Sequence, residues 1–155
     1  MDDARLVAEE AYREAKVADH MAFVTSKIVS EKKIIVSIIN HLEKSFMLSI
    51  KSLLLNERLK KRLESLPTSD SELFELFSTS YSEELKIEKS LLDTIRRLHS
   101  AVQAYDSRGI ILTRADKYVF VSEDYELIDF KLDNVKDWIR QGLNFVSIIK
   151  ERINN

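Results

Sequence analysis

The stretch "ARLVAEEAYREAKVADHMA", residues 4–22, carries alanine at intervals that alternate between four and three residues. Residues with this spacing share one face of an α-helix, so their methyl groups form a single stripe. Small side chains shorten the distance at which two helix axes can pack, because that distance depends on the side chains at the contact. The spacing therefore predicts helix 1 over about residues 3–27, with a close partner along this stripe: Ala4, Ala8, Ala11, Ala15, Ala18 and Ala22.

The following segment indicates a second long helix. Neither proline nor glycine occurs before Pro67, and one helix of that length would extend ~100 Å, so the chain must fold back. The segment around Ser30, which could cap a helix, is the best place for the break. We predict helix 2 over about residues 31–64, ended by Pro67. Its apolar residues exceed a single stripe, which predicts contact with more than one neighbour.

Two further helices follow Pro67. Ser69 and Glu72 have the spacing of a capping box, which predicts a short helix over about residues 70–78. We predict helix 3 over about residues 82–107, where Gly109 would serve as the glycine that commonly follows a helix.

The last fifty residues change in character. Residues 109–130 are rich in β-branched and aromatic side chains, and "IILT" and "YVFV" flank a polar "RADK". This pattern fits a small β-hairpin, and equally an extended packed loop. The last helix is predicted over about residues 134–153, with Asp133 as its N-cap and Gly142 on its apolar stripe.

Together these elements predict an all-α fold. We expect an up-and-down four-helix bundle with a short extra helix and a small β-hairpin before the last helix, in one domain over residues 1–155. The alanine stripe is expected to pack on the last helix beside Gly142, since both surfaces permit close approach. In the alternative, the stripe forms the interface of a homodimer.

Composition narrows the class of protein. The chain of 155 residues is 45% hydrophobic and 32% charged, which is typical of a soluble globular domain. A net charge of −2 gives no global electrostatic footprint for nucleic acid. The absence of cysteine excludes disulfides, thiolate metal sites and a cysteine nucleophile. We see neither a secretory signal nor an apolar run of about 18 residues, so we expect a cytoplasmic protein without membrane contact.

Motifs for metal or nucleophilic chemistry are absent from the sequence. Neither Glu-x-x-His nor His-Glu-x-x-His occurs, and the acids of helix 1 suit a helix N-terminus without any metal. There is also no Gly-x-Ser-x-Gly and no glycine-rich phosphate loop. The sequence therefore predicts no metal site and no cofactor.

One stretch of helix 3, "DTIRRLHSAVQAYDSRG", collects cationic residues. Arg96 and His99 are three residues apart and share a helix face, and Arg97 and Arg108 are three turns apart. A guanidinium beside an imidazole could hold a phosphate and move a proton. These four residues are our candidates for ligand binding. In the alternative, His99 borders the core while the arginines are solvated or pair with nearby acids.

Two segments resemble the HEPN domains, which are compact helical bundles associated with nucleotide or RNA biology. Residues 39–55, "INHLEKSFMLSIKSLLL", look like the second helix of that family. Residues 98–153, from "LHSAVQAYDSRG" to "IIKERI", look like its third helix, its variable connector and its closing amphipathic helix. The resemblance implies a helical module, dimeric, that binds a nucleotide, RNA or a partner protein.

The nuclease members of that family carry an arginine, then four to six residues, then a histidine on a later helix. Here Arg97 and His99 are too close for that motif. Arg13 and His20 have six residues between them, but they lie on helix 1. The resemblance therefore implies a non-catalytic module. The alternatives are a metal-independent ribonuclease that uses one of these two pairs, and a purely structural or adaptor protein.

Overall fold

The computed structural model describes residues 3–25, 32–106, 109–114 and 117–155; Ser30, the predicted cap, and Arg108 lie outside them. The described part is mostly helical, with a three-stranded antiparallel sheet before the last helix. Because it contains this sheet, the fold is mainly helical and not all-α as predicted. The elements are α1 (Asp3–Thr25), α2 (Lys32–Leu59), α3 (Asp70–Ser80), α4 (Lys89–Asp106), β1 (Ile110–Arg114), β2 (Lys117–Val121), β3 (Leu127–Lys131) and α5 (Leu132–Asn154).

Helix α2 lies at the centre of the fold. It contacts α1, α3, α4, α5 and β1, so its apolar side chains are covered on several sides. Phe46, for example, is 1% exposed and packs on Phe145 of α5. The excess of apolar residues on α2 is therefore consumed inside the chain, as predicted for a helix with more than one neighbour.

The alanine stripe of α1 packs mainly on α2 and to a lesser extent on α5, so the predicted partner was wrong in emphasis. All six alanines are buried. Two serines of α2 exploit the close approach: Ser45 Oγ donates to the Ala11 carbonyl at 2.7 Å, and Ser52 Oγ donates to the Ala4 carbonyl at 2.6 Å. The partner of a small-residue stripe is thus another helix with small polar residues, which sequence periodicity alone does not reveal.

Gly142 of α5 permits a close approach, but to α2 rather than to α1. A Cβ at this position would lie 3.0 Å from Leu42 Cδ1 and 3.6 Å from the Phe46 ring. Helix α5 meets α1 elsewhere, where Lys150 Nζ lies 2.7 Å from Glu9 Oε1 and over the Tyr12 ring. Side chains of α2, and not the expected alanine stripe, are therefore nearest to Gly142.

Several helix ends differ from the prediction. Helix α2 ends at Leu59 and not at Pro67, because Lys61 adopts a left-handed conformation (φ 61°) that helices often use to terminate. Helix α4 begins at Lys89, after a turn in which Lys86 is also left-handed. Ser69 caps α3 as predicted, since its side chain accepts from the Glu72 amide.

Helix α5 begins at Leu132, so the predicted N-cap Asp133 lies inside its first turn. The N-cap is Lys131, whose amide donates to Asn134 Oδ1 at 2.8 Å. The side-chain oxygen of Asn134, in the first turn, thus satisfies the backbone N–H of the N-cap residue itself, and Asp133 is not the cap.

The predicted hairpin is present as β1 and β2, and a third strand, β3, extends it. One face of the sheet is aromatic and packs on the helices. Phe120 stacks on Phe130 and contacts Tyr105 of α4, and Phe130 contacts Trp138 of α5. Gly109 leads into β1 where a Cβ would collide with the Ala104 carbonyl oxygen and lie 2.8 Å from the Val121 carbonyl oxygen. The aromatic face of the sheet thus forms part of the core.

Candidate functional site

A cleft of about 660 Å³ lies between the start of α3, one face of α4 and the turn that joins β2 to β3. Each wall of the cleft comes from one of these three elements. The capped first turn of α3 presents Asp70 and Ser71, and α4 presents His99 and Gln103. Its other lining residues are Ser69, Ser100, Ala104, Ser122, Glu123, Asp124 and Glu126. The sheet therefore acts as a scaffold that holds an acidic turn opposite a helix N-terminus.

His99 occupies the base of this cleft and contacts two side chains. Its Nδ1 lies 2.9 Å from Glu43 Oε1, and its Nε2 lies 3.4 Å from Ser71 Oγ. Glu43 belongs to α2 and Ser71 to α3, so the imidazole joins three helices. The ring is half-buried, at 22% exposure of the side chain, and remains accessible from the cleft. His99 thus has the accessibility that a functional histidine needs and the partners that fix its orientation.

Burial raises the pKa of the Glu43 carboxyl above its ordinary value. The hydrogen bond and charge of His99 act in the opposite direction, while the carboxylates of Asp70 and Asp106 add to the increase. The charged form of Glu43 is therefore under-compensated by the protein groups around it. Buried carboxylates with a raised pKa are typical of functional sites as well as of some structural networks.

The cleft is strongly acidic. Glu123, Asp124 and Glu126 line it from the turn, Asp70 lines it from α3, and Glu43 lies beneath His99. Among the residues that the structure describes, no lysine or arginine lines it. The summed field attracts cations and repels phosphates.

Arg96 and Arg97, predicted to share a site with His99, line a different cleft of about 490 Å³. Arg96 lies 3.3 Å from Glu75 and over the Phe74 ring, while Arg97 donates to the Asp129 backbone carbonyl and pairs with its carboxylate at 3.4 Å. Arg96 and His99 are three residues apart on α4, but their contacts with Glu75 and Glu43 draw the two side chains toward different neighbours. Of the predicted group, Arg96 and Arg97 therefore line one cleft and His99 lines another.

The other predicted site residues lie elsewhere. Arg108 falls outside the described residues, so its position relative to either cleft is not defined. Arg13 and His20 are both exposed on α1. Arg13 lies near enough to Glu9 to contribute to the lowered pKa of that carboxyl, after the larger effect of Lys150. Neither residue joins the His99 cleft.

A second histidine–glutamate contact joins α1 to α2. His41 Nδ1 lies 2.5 Å from Glu14 Oε2, and Lys44 Nζ lies 3.4 Å from Glu14 Oε1. Burial opposes the charged form of Glu14, but the hydrogen bonds and charges of His41 and Lys44 outweigh it, so the pKa of this carboxyl is lowered. Nothing opens a cleft beside this pair among the cavities described above.

The two direct partners of His99, Glu43 and Ser71, and the neighbouring Asp70 were not predicted from the sequence. Glu43 and His99 are 56 positions apart and belong to different helices, so no local spacing links them. A sequence signal exists only for Asp70 and Ser71, which follow the N-cap Ser69 and so must lie at a helix start. A search of the sequence for residues at i and i+3 finds sites built on one helix, but it cannot find a site whose residues come from three helices.

Comparison with models of known protein families, with curated proteins and with solved structures found no match. The resemblance to HEPN domains therefore stays a prediction. In the described part of the chain, no helix combines the length and the apolar character needed to cross a membrane.

Proposed function

We propose that this protein is a helical ligand-binding domain whose His99 cleft takes a cationic ligand. The observation that carries the proposal is the charge of the cleft. Carboxylates line it from α3 and the β2–β3 turn, Glu43 of α2 contacts His99, and the only basic group among its described lining residues is the His99 imidazole. Positive ligands gain from this field, whereas phosphates lose.

A panel of small probes tests this proposal. We would titrate the protein at low salt with spermidine, a tetralysine peptide and Zn²⁺, and separately with ATP, by calorimetry. At least one cation should bind saturably, with an affinity that falls as salt screens the field, and ATP should not compete. Saturable ATP binding without any cation binding would contradict the proposal.

A matched pair of variants assigns the binding to the cleft. Replacing Glu123, Asp124 and Glu126 together by Gln, Asn and Gln removes charge from an exposed turn without touching the core. The control replaces Glu83, Glu84 and Glu88, exposed acids before α4, in the same way. Only the turn variant should bind the cationic probes more weakly. An equal loss in both variants would mean a nonspecific effect of net charge.

A second function, binding of a nucleotide or RNA, follows from the resemblance to HEPN domains and would use the other cleft. Arg96 and Arg97 line it together with Asn134 and Trp138. Their acidic partners are more than half exposed, and such surface ion pairs are weak enough for a phosphate to displace. In this second proposal, the helices form an up-and-down four-helix bundle and the protein is a homodimer.

Fluorescence anisotropy with labelled RNA and with a labelled nucleotide tests the second function. Wild-type protein should show a saturable signal at low salt, and Arg96→Ala with Arg97→Ala should abolish it. His20→Ala should leave it unchanged. No signal at low salt, or an undiminished signal in the double variant, would rule this cleft out. Sedimentation of the same samples reports whether the chain dimerises.

A further inference from the structure

The base of the His99 cleft has the composition and spacing of a metal site. Glu43, Asp70 and His99 each offer one ligand atom, and these three atoms lie within 4.8 Å of one another. They come from α2, the first turn of α3 and α4, so each ligand is fixed by a different helix. Three converging ligands on three packed helices are the usual way in which helical proteins build metal centres.

The distances suit a small divalent ion. Zinc binds imidazole nitrogen and carboxylate oxygen at about 2.0–2.2 Å, which places tetrahedral ligands about 3.3 Å apart. The His99–Glu43 separation of 2.9 Å and the outer limit of 4.8 Å bracket this value.

Electrostatics favours the same ion. Glu43 is buried, and the carboxylate of Asp70 lies close to it, so two negative charges meet at one place. A divalent cation between Glu43 and Asp70 would remove their mutual repulsion and balance both charges. An imidazole with two carboxylates selects zinc or another first-row transition ion over magnesium or calcium, which prefer oxygen ligands alone.

Ser71 completes the arrangement from the second side of the ring. Its Oγ lies 3.4 Å from His99 Nε2. With Nε2–H donating to Ser71, the Nδ1 lone pair faces Glu43, which is the tautomer that a metal bound between them requires. A partner on the second nitrogen of a ligating histidine is a regular feature of metal sites.

We propose that Glu43, Asp70 and His99 form a binding site for a divalent transition-metal ion, with Zn²⁺ as the preferred ion. The remaining coordination positions face the open cleft, as in metal sites that keep a place for water or a ligand. This inference rests on the proposed function, since it names the cation that the acidic cleft takes.

The test measures Zn²⁺ and Co²⁺ binding to protein stripped of metal with a chelator. We expect one Zn²⁺ per chain, no comparable affinity for Mg²⁺, and a visible Co²⁺ absorption band that Zn²⁺ abolishes. Glu43→Gln and His99→Gln should each weaken Zn²⁺ binding at least about 100-fold, and Ser71→Ala about tenfold. Because Asp70 is exposed, Asp70→Asn provides a third ligand variant that leaves the core untouched.

The second histidine–glutamate pair supplies the matched control. His41→Gln and Glu14→Gln remove the same chemical groups from a contact that also involves the central helix α2, and they should leave Zn²⁺ affinity unchanged, as should His20→Gln on the surface. Absence of Zn²⁺ binding, or equal affinity in wild type and all ligand variants, would overturn the site. If spermidine or tetralysine still binds in that case, the proposal of a cation-binding cleft is supported and only the metal site is wrong. If no cation binds, both proposals are wrong.

Discussion

Helix α2 makes two histidine–glutamate contacts two residues apart, and they behave in opposite ways. His41 receives Glu14 from α1, and Glu43 receives His99 from α4. Residues two apart point about 200° apart on a helix, so the contacts lie on opposite sides of α2. The two carboxylates are similarly exposed, at 16% for Glu14 and 12% for Glu43. Yet the pKa is lowered at Glu14 and raised at Glu43.

Burial and the third charge together account for the difference, and burial is the larger cause at Glu43. Lys44 lies beside Glu14 and balances it, whereas Asp70 and Asp106 lie near Glu43 and repel it. Desolvation is the leading contribution at both carboxylates and acts in the same direction. The two pairs thus have the same chemistry but different surroundings. His41–Glu14 links two helices with its charge balanced, whereas His99–Glu43 leaves a poorly balanced charge beside an open cleft. The second arrangement is the one that a bound cation would complete.

Exchanging the third charge should give the largest effect. Asp70→Lys places a cation near Glu43, as Lys44 stands near Glu14. We expect Zn²⁺ affinity to fall at least 100-fold, equivalent to about 2.8 kcal/mol, because a ligand is lost and a positive charge competes with the metal. Asp133→Lys, in the first turn of α5, is the control for a charge change at a helix start. Zinc titration checks both, and equal affinities would contradict the comparison.

Disturbing only the α1 side should separate folding from the cleft. Ala11 is fully buried, and its carbonyl accepts from Ser45, so Ala11→Leu overpacks the seam at a cost of about 1–3 kcal/mol in unfolding free energy. Val17→Leu, on the exposed side of α1, should change stability by less than about 0.5 kcal/mol. Urea denaturation measures both. Zinc affinity of the folded Ala11→Leu protein should equal that of wild type, since α1 supplies no ligand.

Removing each carboxylate charge should shift stability in opposite directions. Glu14→Gln loses a charge-assisted hydrogen bond to His41, which costs about 1–2 kcal/mol. Glu43→Gln keeps an acceptor for His99 and removes a buried charge near Asp70, so it should be at least as stable as wild type. Urea denaturation at pH 7 with a chelator present makes the comparison. A similar loss in both variants would mean that the third charge does not matter.

Sequence predicted the scaffold better than the site, for a physical reason. Helix positions follow from local periodicity, so the alanine stripe located α1 and the Ser69 cap located α3. Partners across the fold do not: Gly142 was correctly singled out for close approach but assigned to α1 instead of Leu42 and Phe46 of α2. The third strand was missed because Asp129 and the charged turn before β3 interrupt its apolar pattern.

The candidate site shows the same limit more sharply. His99 stood out in the sequence, but with Arg96 and Arg97, because only same-helix neighbours are visible there. No spacing in the sequence distinguishes its actual partner, Glu43, from the other charged residues of an apolar helix. Its burial arises when α4 packs on α2, and no spacing rule encodes that contact. A carboxylate among the apolar residues of a central helix is the one sequence signal that would have indicated it.

The smallest expected effect is a pH dependence: the contribution of Glu14 to the free energy of unfolding should disappear on acidification. A carboxyl with a lowered pKa stabilises the fold above its ordinary value of 4.5, and this contribution is lost as pH falls through its folded-state pKa. The groups that face Glu14 are His41 and Lys44 of α2, with Glu10 one turn away on α1. The stability difference between wild type and Glu14→Gln should therefore be full at pH 6 and shrink below about pH 4.5. Denaturation midpoints from pH 7 to pH 3 measure it, and a difference that grows on acidification would assign the link to a group other than Glu14.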